Sequence, residues 1–145
     1  MLGKIKRIHG SRVIVKDFTG QDLPNSDFLL TVGPATFTQA HLQGSAFMVA
    51  LLAGSSFRYA DLADCDFRYA DLADCDFTGC ALKGADFREA FLKGANFTGA
   101  RGKALSWEGA FVDAATQLPR FPTGAWPLLV YDPQGDRYRQ VKIRL

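Results

Sequence analysis

From Phe37 to Phe97 every fifth residue is Phe or Leu, and the two alternate without a break. The series runs Phe37, Leu42, Phe47, Leu52, Phe57, Leu62, Phe67, Leu72, Phe77, Leu82, Phe87, Leu92, Phe97. Two residues before each stands a small one: Ala35, Ala40, Ser45, Ala50, Ser55, Ala60, Cys65, Ala70, Cys75, Cys80, Ala85, Ala90 and Ala95. The decapeptide FRYADLADCD occurs twice in tandem, at 57–66 and 67–76. A period of five matches neither the 3.6 of a helix nor the 2 of a strand. It excludes an amphipathic helix or a flat alternating strand over this length. It implies short extended sides joined by turns, each side turning one large and one small residue inward. A single side buries too little to be stable, so successive coils must stack. Their backbones then pair at about 4.8 Å, the ordinary strand spacing.

The units ADLAD, CDFRY, CDFTG, GADF and GANF fit the pattern A(D/N)LXX. In this the chain resembles the pentapeptide-repeat family, over a little more than half its length. The resemblance implies an all-β fold, a right-handed quadrilateral β-helix of about four coils with four units per coil. The Phe/Leu alternation by itself requires only an even number of sides. With four sides, Phe37, Phe57, Phe77 and Phe97 stack on one face, Phe47, Phe67, Phe87 and Trp107 on the opposite one, and Leu columns fill the remaining two. Each buried Phe or Leu contributes roughly 1.5–3 kcal/mol before chain entropy is set against it.

The repeat weakens toward both ends, which divides the chain into residues 1–34, 35–115 and 116–145. In the first part Ile8, Val13, Phe18, Leu23 and Phe28 also step by five, but Phe28 to Phe37 is nine residues, one short of two units. A slip or loop at 29–34 is expected, with Gly33 and Pro34 as breakers. The stretch 4–16, β-branched around His-Gly-Ser, reads as a short hairpin or first strand capping the coil. After Phe97, Gly102 leaves a gap in a Leu column, and Leu105 and Trp107 are bulky for their places, with Trp107 expected to cap the stack. LPRFPTGAWP reads as linker. PLLVYD and RYRQVKIRL, flanking Pro133-Gln134-Gly135, read as a β-hairpin that hides the open backbone edge.

No site for chemistry emerges. His9 and His41 have no partner at a metal or triad spacing. Cys65, Cys75 and Cys80 fall on the small inward position, on sides that do not converge, and read as buried apolar groups. Asp61, Asp66, Asp71 and Asp76 each precede a central residue, so they ring the coil rather than gather around calcium. The family resemblance implies the same for Asp at this place, and such carboxylates can bond turn amides. Asn96-Phe97-Thr98 fits a glycosylation sequon only because ANFTG is a repeat unit. There is no phosphate loop, dinucleotide fingerprint or nucleophile elbow. The chain therefore reads as not an enzyme, with no metal and no cofactor. The odd cysteine count and the absence of a targeting segment or long apolar run point to the cytoplasm and away from membranes.

Charge narrows the partners. Net charge is +2 over 145 residues, but residues 30–115 carry seven basic and ten acidic groups, and both ends are basic. That is too little for direct nucleic-acid binding. The reading is a protein-binding or scaffold module that presents the flat faces of a rigid coil to a protein partner, of which a homodimer is one form. Two alternatives stand beside it. One is a DNA-mimic that binds or protects DNA gyrase, as the resemblance implies for some relatives. The other is a docking component of a larger assembly such as a phage particle. The outward positions are mostly polar, yet along one corner large apolar residues recur: Met48, Val49, Leu51, Tyr69, Phe91 and Phe111. That ridge is the candidate interface, unless a chain end folds over it.

Overall fold

Backbone pairing carries the five-residue period into a stack of coils. In the computed structural model, which describes residues 16–119 and 125–144, Thr36 bridges Ser56, His41 bridges Asp61, Ala46 bridges Asp66 and Leu51 bridges Asp71. All are parallel and twenty residues apart, and the interval holds as far as Phe91 with Phe111. Twenty residues are four units of five. Each unit turns a corner in the same way. The amide three residues after the central one donates back to its carbonyl, as from Ala40 to Phe37 at 3.0 Å and from Cys75 to Leu72 at 3.2 Å. The residue in between, two after the central one, has a positive φ, as at Gln39 (58°), Asp64 (57°) and Gly84 (75°). This is the signature of a type II turn.

The large residues fill the axis. Phe57 stacks on Phe77 with centroids 4.9 Å apart, Phe47 stacks on Phe67 at 4.8 Å, and the two columns meet edge to face, as for Phe67 and Phe77 at 5.9 Å and 89°. The central Leu residues from Leu42 to Leu92 are fully buried beside them. The small residues line the corners, where the cysteines also lie. The thiols of Cys65, Cys75 and Cys80 donate to the carbonyls of Leu42, Leu52 and Phe57 in the preceding coil. Burial pushes each of these thiols up to about 12. They are therefore expected to resist a thiol reagent in the native protein and to react fully in denaturant. Rapid labelling of any one under native conditions would show its register to be wrong.

The stack begins earlier than residue 35. Phe18, Leu23 and Phe28 are buried in the same core, with Phe18 stacked on Phe37 at 5.0 Å. This first turn is one residue short: Asp22 bridges His41 and Val32 bridges Leu51, nineteen residues apart. The shortfall lies where the nine-residue gap places it. Gly33 takes the central position at φ 95°, its amide donating to Leu51 at 2.9 Å, and the next bridge forms at Thr36, where Thr36 pairs with Ser56. Residues 4–15, with His9, lie outside the described residues.

The far end is adjusted in the opposite sense. Asn96 bridges Gln117, an interval of twenty-one. Leu105, too bulky for its corner, turns out to solvent, and Ala104 is buried in its stead. Trp107 takes its place in its column, buried and stacked on Phe87 at 4.5 Å. It is not the end of the core, because Leu128 is buried in the same cluster. Five strands are long enough to name: β1 (Lys16–Asp17), β2 (Ala35–Thr36), β3 (Phe111–Val112), β4 (Ala125–Asp132) and β5 (Arg137–Arg144). β1 pairs with β2, and β4 adds parallel to β3 with Leu129 beside Phe111. β5 returns antiparallel to β4. The hairpin thus extends the last coil as sheet. It starts at Ala125, so Ala125 and Trp126 belong to the strand and not to the linker; residues 120–124 lie outside the described residues. No helix long and apolar enough to cross a membrane occurs among the described residues.

Candidate protein-binding ridge

Two outward positions flank each corner: the residue two after a Phe and the residue just before the following Leu. At one corner these places hold Val49 and Leu51, then Tyr69 and Asp71, Glu89 and Phe91, Gly109 and Phe111. Direct bridges from Leu51 to Asp71, Asp71 to Phe91 and Phe91 to Phe111 set the second series in a line along the stack. Val49, Leu51, Tyr69 and Phe91 are each 40–50% exposed. Met48 is half-buried on the adjoining face. Phe91 and Phe111 stack at 4.6 Å. Phe111 is half-buried, with the Tyr138 ring edge-on to it at 5.1 Å. The hairpin therefore touches the lower end of the ridge and leaves the rest open.

The ridge is longer than the sequence suggests. Leu30 and Val32, both exposed, continue it upward by one coil, nineteen residues before Val49 and Leu51. At the other end Tyr131 and Tyr138 extend it, and Lys93 holds its ammonium 4.4 Å and 5.1 Å from their ring centroids. Leu51, Asp71, Ala73, Phe91, Lys93 and Tyr138 line a groove of about 310 Å³. Its floor is apolar, and Asp71 and Lys93 supply one charge of each sign.

Away from the ridge the outward positions are mostly polar, with Tyr59 and Leu105 as exposed exceptions, and the aspartates before the central residues are bonded. Asp61, Asp66, Asp71, Asp76 and Asp86 each accept from the amide two residues on, at 2.9–3.2 Å. Three are also paired with arginine: Arg58 with Asp76 at 2.8 Å, Arg68 with Asp66 at 2.7 Å and Arg88 with Asp86 at 2.6 Å. Burial by itself pushes the Asp66 carboxyl up, but the hydrogen bonds from Arg68 outweigh it and hold the group below its usual value. No set of three or more His, Cys, Asp or Glu residues is placed to hold a metal among the described residues. His41 is exposed.

Comparison with known proteins bears on the frame that carries this ridge. The pattern for pentapeptide repeats matches residues 35–68 and 65–101, in eight copies. Among solved structures, HetL, a pentapeptide repeat protein involved in heterocyst differentiation regulation from the cyanobacterium Nostoc sp. strain PCC 7120, is similar with a TM-score of 0.58 and 22% identity. The match covers 68% of this chain and 54% of HetL, so it spans about half of that protein. The pentapeptide repeat protein alr5209 from Nostoc PCC 7120 is 30% identical over 65% of this chain and 74% of its own, with a TM-score of 0.34. QnrB1, a plasmid-mediated fluoroquinolone resistance protein, is 18% identical over 68% and 70%, with a TM-score of 0.32. No curated protein sequence matches the chain. Eight matched copies coincide with coils whose backbones pair at the interval of four units, and the chain belongs to the pentapeptide-repeat family.

Proposed function

We propose that this chain is a non-catalytic protein-binding or scaffold module and that the corner ridge is its working surface. The frame we infer is the right-handed, four-sided coil that the family resemblance implies; the twenty-residue pairing interval supports the four sides. The observation that carries the reading is what the ridge residues displace. Just before the central residue, Asp61, Asp76 and Asp86 each accept a turn amide, although Ala46 and Ala81 fill the same place off the ridge without an acceptor. Val32, Leu51, Phe91 and Phe111 occupy that place and carry no acceptor. Each such bond is typically worth about 1 kcal/mol. Val49 adds backbone strain, because a β-branched residue at φ 61° is an outlier. Apolar groups held in solvent at a cost to the fold favour a binding role over chance.

Leu51, Tyr69 and Phe91 are the anchors of this reading, since large apolar and aromatic groups dominate interface energies. The partner is a protein, and a second copy of this chain is one form it can take. The arginine pairing of Asp66, Asp76 and Asp86 weakens the case for a DNA-mimic directed at gyrase, which depends on unneutralised acid along the rod. A role as a docking part of a larger assembly would use the same ridge. The buried free thiols fit a reducing compartment. The test is the paired substitution Leu51→Asp with Phe91→Asp, which is expected to leave the fold and remove the association.

A further inference from the structure

β5 is the terminal strand of its sheet, in the order β3-β4-β5, and has no neighbour on its outer side among the described residues. It is eight residues long, RYRQVKIR, with Arg137, Arg139, Lys142 and Arg144 and no acidic residue. Residues 137–141 are exposed. An edge of this length presents a row of unpaired amides and carbonyls, a template for another strand. We propose that the free edge of β5 takes up an acidic extended segment of another protein as an added strand.

Charge selects this occupant. Residues 1–15 of the chain itself carry Lys4, Lys6, Arg7 and Arg12 and no acidic residue, and 120–124 contain Arg120 and a proline. Neither complements a basic edge, and proline cannot donate to a ladder. The β5 strand of a second copy would set like charges opposite one another, which is destabilising. The basic edge is thus guarded against self-pairing, and a strand rich in Asp or Glu is the one pattern that it attracts. The hairpin already displays the pairing on its inner side: Asp132 lies beside Arg137 in the register and forms an ion pair with Arg139. An incoming acidic strand would repeat that cross-strand contact on the outer side. A nucleic acid fits less well, because phosphates only accept hydrogen bonds, whereas the edge alternates donors with acceptors. The inference stands apart from the ridge in chemistry, since it uses the backbone edge and basic side chains of β5, although Tyr138 of that strand also reaches the ridge's lower end.

The experiment uses the full chain and a capped, fluorescent decapeptide of alternating Thr and Glu, read by anisotropy and by amide shifts in NMR. Binding is expected, with the largest shifts in residues 137–144. A Thr–Lys decapeptide, or the Glu peptide N-methylated at every second residue along one edge, is expected to bind at least about tenfold more weakly, because strand addition needs both the charge and the backbone bonds. Arg137→Glu with Arg139→Glu should weaken the Glu peptide by a similar factor, while Leu51→Asp with Phe91→Asp should leave it unchanged. The proposal is overturned if the Glu peptide does not bind or if its N-methylated form binds equally. It is also overturned if a single-stranded DNA decamer binds at least as tightly as the Glu peptide.

Discussion

Replacing Phe67 by Ala is expected to lower stability by about 3–5 kcal/mol, the range for removing a buried ring. Phe67 has no exposed surface and lies between Phe47 at 4.8 Å and Phe87 at 5.0 Å in its column. It also meets Phe57 and Phe77 edge to face at 5.6 Å and 5.9 Å. Four ring contacts are lost at once, and the cavity left behind has backbone on its sides that is held by pairing to the coils above and below. Such a wall cannot collapse inward without breaking the ladder. The neighbouring Arg68→Ala removes only partly exposed, solvent-screened bonds to Asp66 and should cost far less than the loss of the ring. Denaturant midpoints measured on the two variants check this. Equal midpoints would contradict the assignment of inward and outward positions.

The second large effect is expected on association rather than on the fold. Leu51→Asp with Phe91→Asp places two carboxylates on exposed positions of the ridge, each where the repeat elsewhere carries Asp. The new side chains can accept the turn amides of Ala53 and Lys93 as Asp71 accepts that of Ala73 at 3.2 Å. The doubly substituted protein is therefore expected to stay folded, with the gained turn bonds set against the repulsion from Asp71, which bridges both substituted positions, and the loss of the Phe91–Phe111 stack. In the same sample any self-association or bound partner should be lost, since truncating an anchor in an interface centre commonly costs more than about 2 kcal/mol. Light scattering and melting on one preparation separate the two outcomes. Unfolding would mean that the ridge is internal. Phe111 is the wrong residue for this test, because Tyr138 packs on it and a charge there would disturb the hairpin.

What could be read from the residues followed from the period. A step of five with Phe and Leu in alternation leaves one inward set, and the core columns hold it from Phe37 to Phe97. The short first turn was equally legible, because nine residues between Phe28 and Phe37 cannot hold two units. Leu105 was less so: a corner can recruit the preceding alanine, and no periodicity distinguishes that from a bulky corner. Leu30 and Val32 escaped the ridge because they align with it only at an interval of nineteen. Tyr131 and Tyr138 escaped it because their places depend on how β4 docks against β3, and the repeat carries no signal for that register.

The most direct test of the ridge as the working surface is a photoreactive benzophenone side chain placed at position 91 and, separately, at position 59. Tyr59 is exposed at a different corner, so it reports chance collisions. On irradiation in the producing cell, a discrete cross-linked product, whether with a second copy or with another protein, is expected from position 91 and not from position 59. Equal products from both positions, or none from position 91, would contradict the account.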